Sequence, residues 1–339
     1  MKQTLRDFLC PQPKSKIKAG DGQLKGAYNF YTSSQIQSKF YHSATYTQPA
    51  LIFGTGGMAS VHYCNEHFST STDCLVMYGR LGAPLELIYY YLRSNMHLLQ
   101  DGFKGAGLQH ISKDYILNIN INMPAPSLQE QITHQMRLID AMINGIKQQI
   151  LSFDEAVKSR FIELFGDPVS NPKDWDVVPL GKRCGIITGN TPSRSEPENY
   201  GEYIEWIKSD NINTPFTFIT KAQECLSEAG FDKCRFVEAG SILMTCIAGS
   251  INCIGNVAVT DRRVAFNQQI NAIVPEQDEV LYLYWLMQLS KPMIHRTINM
   301  ALKGILSKSQ LSEIAFPFPP ITLQEQFATF VEQTDKSKL

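Results

Sequence analysis

Apolar residues along most of this chain come in short runs closed by turn residues, the pattern of β-strands. Ala50-Leu51-Ile52-Phe53, Cys74-Leu75-Val76-Met77, Ser241-Ile242-Leu243-Met244-Thr245-Cys246 and Asn256-Val257-Ala258-Val259 predict strands. Helical runs are predicted at about 84–99 and 278–300. In the middle of the chain the period changes. Ile139, Ile143, Ile146, Ile150, Phe153 and Val157 follow one another in steps that alternate four and three, the spacing of a coiled-coil seam. Phe161 and Leu164 extend the stripe, Gly166 offers a left-handed stop, and Pro168 prevents continuation. Ser127 and Glu130, directly after Pro124-Ala125-Pro126, have the S-x-x-E form of a capping box. These signals predict one helix over 127–165, on the order of 58 Å long at about 1.5 Å per residue.

A stripe of that length must pack against something. The natural partner within the chain is a helix opening at Thr322, with Leu323, Phe327, Phe330 and Val331 on one side. It has about 17 residues before Leu339, so it covers only part of the seam at the helical rise. The remainder is expected to be covered by another subunit, or by a second copy of this chain as a homodimer through the spacer helix.

The two helices open on the same words. Pro124-Ala125-Pro126-Ser127-Leu128-Gln129-Glu130-Gln131 returns as Pro319-Pro320-Ile321-Thr322-Leu323-Gln324-Glu325-Gln326. LIYYYL at 87–92 matches LYLYWL at 281–286 in character, and GAYNFYTSS at 26–34 parallels GEYIEWIKSD at 201–210. Phe68 and Val76 match Phe266 and Val274, and Lys104-Gly105 matches Lys303-Gly304. The pairs keep the same order at about 175 to 200 residues' separation, too long a period for a solenoid. The chain therefore reads as a domain followed by a helix, twice. The fold class is α+β, two domains of mixed sheet and helices separated by a long coiled-coil spacer helix in a pseudo-two-fold repeat. The expected parts are 1–124, the spacer 125–168, a second domain 169–320 and a short distal helix 321–339.

Composition adds bounds rather than a function. Of 339 residues, 43% are hydrophobic and 19% charged, which suits a globular chain of two domains. The formal net charge of −1 says nothing against nucleic acid, because binding depends on local basic patches. Lys14, Lys16 and Lys18 form one such patch, and Lys291, Arg296, Lys303 and Lys308 another; a solvated face explains each equally well. Eight scattered cysteines without a C-x-x-C pair suit reduced thiols in a cytoplasmic protein. No apolar stretch reaches the roughly 18 residues of a membrane span.

Catalytic patterns are mostly missing. Gly54-Thr55-Gly56-Gly57 lacks the Gly-Lys-Ser/Thr of a phosphate-cradling loop and reads as a turn. His62, Cys64, Glu66 and His67 fit no standard zinc spacing. Polar loops of amide, hydroxyl and basic residues are the better candidates, as DNA-reading elements. In the first domain they hold Tyr31, Thr32, Ser33, Ser34 and Lys104. In the second they hold Asn190, Thr191, Ser193, Arg194, Lys208, Ser209, Asn211, Gln268 and Lys303. Asn and Gln pair with adenine, Arg and Lys with guanine, and lysines and hydroxyls more often hold phosphates. For each residue, a role in capping a loop competes with a base contact, and Gln268 and Gln269 could equally lie in a buried strand.

Together these features resemble the specificity subunits of type I restriction–modification systems, including type IIB-like ones. The resemblance rests on Pro124–Ile132 leading into the long helix, its echo at 319–327, and Phe161-Ile162-Glu163-Leu164-Phe165-Gly166-Asp167-Pro168 at the helix end. It rests also on Trp175–Leu180, Thr191-Pro192-Ser193, Ile204–Ile212 and Asn267-Gln268-Gln269-Ile270. The resemblance implies a non-catalytic chain whose two target-recognition domains read the halves of a bipartite double-stranded DNA sequence, with the gap set by the helices. It implies methyltransferase subunits as partners, with a restriction subunit or a fused methylase–nuclease. S-adenosylmethionine and Mg/ATP would belong to those partners and no cofactor to this chain. A coiled-coil adaptor without DNA specificity is the alternative from a different class.

Overall fold

The structure is a computed structural model that describes residues 3–105, 107, 109–298 and 304–336. The chain divides into two compact units, Met1–Gly145 and Ile146–Leu339.

The first unit is built on a four-stranded antiparallel sheet of β1 (Leu9–Pro11), β2 (Ala50–Gly54), β3 (Val61–Cys64) and β4 (Cys74–Gly79), in the order β1-β4-β2-β3. Side chains alternate across a strand, and here both faces are buried. Leu51, Phe53, Leu75 and Met77 face a core shared with helix α1 (Leu85–Ser94). Ala50, Ile52, Cys74 and Val76 face Tyr31, Tyr46 and Phe68. Burial on both sides is why these strands read as unbroken apolar runs rather than alternating ones. A second sheet pairs Tyr28–Tyr31 antiparallel with Lys39–Tyr41 and parallel with Phe68–Thr70.

Helix α2 (Pro126–Phe165) opens in the first unit and closes in the second. Its first turns lie on α1 through two forked ion pairs. Arg137 donates to both Glu86 oxygens at 2.8 and 2.7 Å, and Arg93 to both Asp140 oxygens at 2.7 Å. The capping box expected at Ser127 does not form. The helix starts at Pro126, so Ser127 already has helical backbone, whereas a cap must sit outside the helix to fold back on it. The Gln129 side-chain Nε2 instead donates to the Pro124 carbonyl at 3.0 Å. At the far end Gly166, with φ 79°, takes the left-handed stop.

The second unit repeats the plan. Strands β5 (Cys184–Thr188), β6 (Ile242–Thr245), β7 (Val257–Val259) and β8 (Ile270–Pro275) lie in the order β5-β8-β6-β7. Ile242, Met244, Val257 and Ile273 face one core, and Leu243, Ala258 and Ala272 the other. Ile204–Ile207 runs parallel to Val264–Phe266, as Tyr28–Tyr31 does to Phe68–Thr70. Helix α3 (Val280–Leu289) takes the place of α1, and α4 (Ile321–Lys336) that of the start of α2. Thr322 is likewise inside its helix, and Gln324 donates to the Pro319 carbonyl at 2.9 Å, just as Gln129 does to Pro124. Gln324 is fully buried and also donates to Asp278 at 2.9 Å, and the Asp278 carboxylate takes a fork from Arg183.

The end of α2 is part of this second core. Val157, Phe161 and Phe165 are buried. Phe161 stacks on Tyr282 with centroids 5.6 Å apart, and meets Phe327 of α4 edge-on at 5.4 Å. Each such aromatic pair adds about 0.5–1.5 kcal/mol beyond the area it buries.

Candidate nucleic-acid interface

In the second unit three chain segments converge at one end of the sheets: the loop after β5, the turn after Ile204–Ile207, and the turn between Val264–Phe266 and β8. Gly189 makes the convergence possible, because a Cβ there would collide with the carbonyl oxygens of Phe266 and Asn267. Across that contact the Thr191 hydroxyl meets the Gln268 side chain. Gln268 is exposed in a turn and does not lie in a buried strand. Ser209 donates to Gln269 at 3.5 Å.

The charges of this face are organised by Glu224. Arg194 donates to both of its oxygens at 2.6 and 3.1 Å, and Lys208 forms an ion pair with it. The Arg194 guanidinium lies 4.9 Å from the ring of Tyr200 and 5.5 Å from Trp206, and the Lys208 ammonium 5.2 Å from Trp206. The two cations hold the Glu224 carboxyl far below its ordinary range, at about 2, with the Arg194 hydrogen bonds the largest cause. Arg194 stays 58% exposed. An arginine held end-on by a carboxylate and over aromatic rings still has unused N–H donors for a base edge or a phosphate.

Other residues singled out from the sequence shape this face rather than project from it. Asn190 donates to the Lys233 carbonyl at 2.8 Å and accepts from the Arg235 amide at 2.9 Å. Asn211 is buried, accepts from the Lys208 amide at 3.1 Å, and donates to the Lys221 carbonyl at 3.1 Å. Ser193 is exposed and bonds Ser195 at 2.7 Å. Lys303 lies outside the described residues.

In the first unit the loop after Tyr31 meets the turn after β2. The Ser33 hydroxyl donates to the Asp73 carbonyl at 2.7 Å and accepts from Gly56 at 3.4 Å. The His110 ring donates to the Thr55 carbonyl at 3.1 Å, and its backbone pairs with exposed Lys104. Lys104 and Ser33 are thereby tied to the same turn. Thr32 accepts from the Ser34 amide at 3.3 Å, and Ser34 is exposed. Tyr31 is 6% exposed, packed edge-on against Phe68 at 5.7 Å, with its ionisation pushed up by burial.

Glu224, Tyr200 and Arg235 were absent from the sequence reading. Arg235 donates to the Thr188 carbonyl at 2.6 Å. The aromatic residues beside Arg194 carried a usable signal, since cation–aromatic stacking is common for arginine. Glu224 carried none, because nothing in its neighbourhood marks it as the partner of a residue 30 positions earlier. Along α2, Ile139, Ile143, Ile146 and Ile150 are exposed, Phe153 is half-buried and Val157 is buried.

The fold defines a tandem-repeat α+β protein whose two units share one helix. It is similar over its whole length to the S subunit of a type I restriction–modification system from M. genitalium, with a TM-score of 0.65, 14% identity and 90% of that chain covered. Residues 3–152 and 172–339 each match the model of the type I restriction modification DNA specificity domain, and the chain belongs to that family. It is 35% identical over 117 residues to the HindI specificity subunit of Haemophilus influenzae, covering 33% of this chain and 24% of that protein. It is 30% identical over 176 residues to the MjaIX specificity subunit of Methanocaldococcus jannaschii, covering 48% of this chain and 38% of that protein. The chain thus spans well under half the length of these two relatives.

Proposed function

We propose that the chain is the DNA-specificity subunit of a type I-like restriction–modification assembly and reads the two halves of a bipartite DNA target, one with each unit. The observation that carries this reading is the duplication itself. The same strand order occurs in both units, and in both, polar loops gather on turns at the strand ends. A protein with two similar heads on one helix suits a target with two separated halves, the gap being set by geometry. Unlike loops in the two heads suit unlike half-sites.

In this reading the chain supplies recognition and no catalytic residue. Methyltransferase subunits supply S-adenosylmethionine chemistry on an adenine flipped into their own pocket. A restriction subunit, or a nuclease fused to the methylase, completes the assembly. Phosphate contacts position the heads, and a few donors such as Arg194 and Gln268 read base edges.

The test is to co-express the chain with a cognate methyltransferase subunit and map N6-methyladenine across the host DNA. A split motif of two unlike halves at fixed spacing is expected. Absence of new methylation in an assembled, cofactor-binding complex would overturn the reading and favour an adaptor without DNA specificity.

A further inference from the structure

The internal repeat changes its charges at one place, and the change does not depend on the DNA reading. In the first unit, where the start of α2 meets α1, Arg137 lies on Glu86 and Arg93 on Asp140. In the second unit, where α4 meets α3, the repeat sets Glu332 in the place of Arg137 and Val280 in that of Glu86. Asp335 takes the place of Asp140, and Met287 that of Arg93. Both arginines are gone, and the carboxylates on the longer helix have become two.

A hollow of about 610 Å³ opens there, wholly within the second unit. One wall comes from a connection that is longer in this unit. The chain passes from Tyr31 to Ala50 in the first unit, but from Ile207 to Ile242 in the second. Part of that connection lies along the free edge of β7. The Val259 amide donates to the Thr217 carbonyl at 2.8 Å, and the Ile219 amide to the Val259 carbonyl at 3.0 Å. Side chains alternate along an extended segment, so Ile219 is buried while Phe216 and Phe218 are 60% and 42% exposed. Leu281 and Val280 line the hollow from α3. Among the described residues, Glu332 and Asp335 stand on its rim against a single lysine, Lys336. The negative charge reaches inward. The buried Tyr284 phenol, one turn past Val280, is pushed up first by burial, and the Asp154 and Asp335 carboxylates raise it further.

We propose that this hollow binds a small organic cation, an ammonium carried on a flat apolar body. Glu332 and Asp335 receive the ammonium, the charge that the arginines supply in the first unit. Phe216 and Phe218 flank the apolar body, and their ring faces add attraction for the cation. Its volume lies within the range of about 300–1,000 Å³ usual for small-molecule sites. The walls are two short stretches of chain and one helix turn, well short of the roughly 20–30 residues a side of a stable protein interface. The occupant is therefore a free small molecule and not a protein segment.

Three probes that share an indole ring test this. Tryptamine, an ammonium at neutral pH, is titrated into the full-length protein with amide NMR shifts as the readout. Tryptophol and indoleacetate, titrated beside it, replace the ammonium by a hydroxyl and a carboxylate. Saturable binding of tryptamine below about 1 mM is expected, with shifts at 216–220 and 280–284. Tryptophol should bind about fivefold more weakly, and indoleacetate more weakly still. Phe216→Ala should weaken tryptamine and tryptophol alike, by about threefold. Glu332→Gln with Asp335→Asn should remove the preference for tryptamine and leave tryptophol binding unchanged. The comparison of ligands needs no variant, so a misfolded variant leaves the test intact. No saturation by tryptamine up to about 1 mM, equal binding of tryptamine and tryptophol, or shifts confined to other segments would each overturn the proposal. The titration uses neither DNA nor another subunit, so its outcome is separate from that of the DNA reading.

Discussion

Glu224 shows how a residue outside the proposed DNA contacts can govern one of them. Its carboxylate neutralises Arg194 and Lys208 and fixes the plane of the guanidinium. Replacing it by Gln, a near-isostere, keeps a hydrogen-bond acceptor and removes the charge. In Glu224→Gln, affinity for DNA of unrelated sequence should rise, and the dependence of log K on log salt should steepen by about one. Discrimination between half-sites should fall, because Arg194 loses its fixed orientation. Binding titrations at several salt concentrations check both. The same contact titrates with acid. The folded pKa of about 2 lies below the ordinary 4.5, so the carboxylate's contribution to stability is complete above 4.5 and is lost as pH falls toward 2. That limb of an acid-unfolding curve should be weaker in Glu224→Gln. If the two proteins lost stability in parallel between those values, Glu224 would not be tying the face together.

At the scale of the element, α2 is one helix with differently engaged stretches. Its start is held by forked ion pairs to α1, its end by an aromatic core, and the stretch between presents isoleucines to solvent. Equal hydrophobicity along the seam should therefore give unequal energetics. Phe161→Ala removes a fully buried ring and should destabilise the second unit by about 3–5 kcal/mol. Ile143→Gln, at a position 39% exposed, should change stability of the isolated chain by no more than about 0.5 kcal/mol. Urea unfolding of both variants decides the matter. A large loss for Ile143→Gln would mean that the stripe is already covered in solution.

For the whole molecule, each unit has its own sheet and its own cores. Exchanging residues 172–319 for the equivalent domain of a relative should change one half of the methylated motif and leave the other half and the spacing intact. A changed spacing would show that the heads are not independent of the helix. No helix among the described residues is long and apolar enough to cross a membrane.

What the sequence determined was periodic. The three–four stripe located α2, Gly166 stopped it, and the repeated Pro-to-Gln words marked where each helix begins. Even there the residue assigned to the work was wrong. Ser127 looked like the cap, yet the shared device is the glutamine two positions on, whose reach back to a proline carbonyl depends on the backbone fold of the turn. Local patterns carry helix and strand because those structures are themselves local. The polar cluster proposed to meet DNA is not. Thr191 meets Gln268, and Arg194 and Lys208 meet Glu224, across separations that only the sheet order of the second unit closes. The same holds for the stripe. Its composition is uniform from Ile139 to Val157, and only tertiary packing, by placing Phe327 and Tyr282 at one end, decided which part is core and which part is exposed.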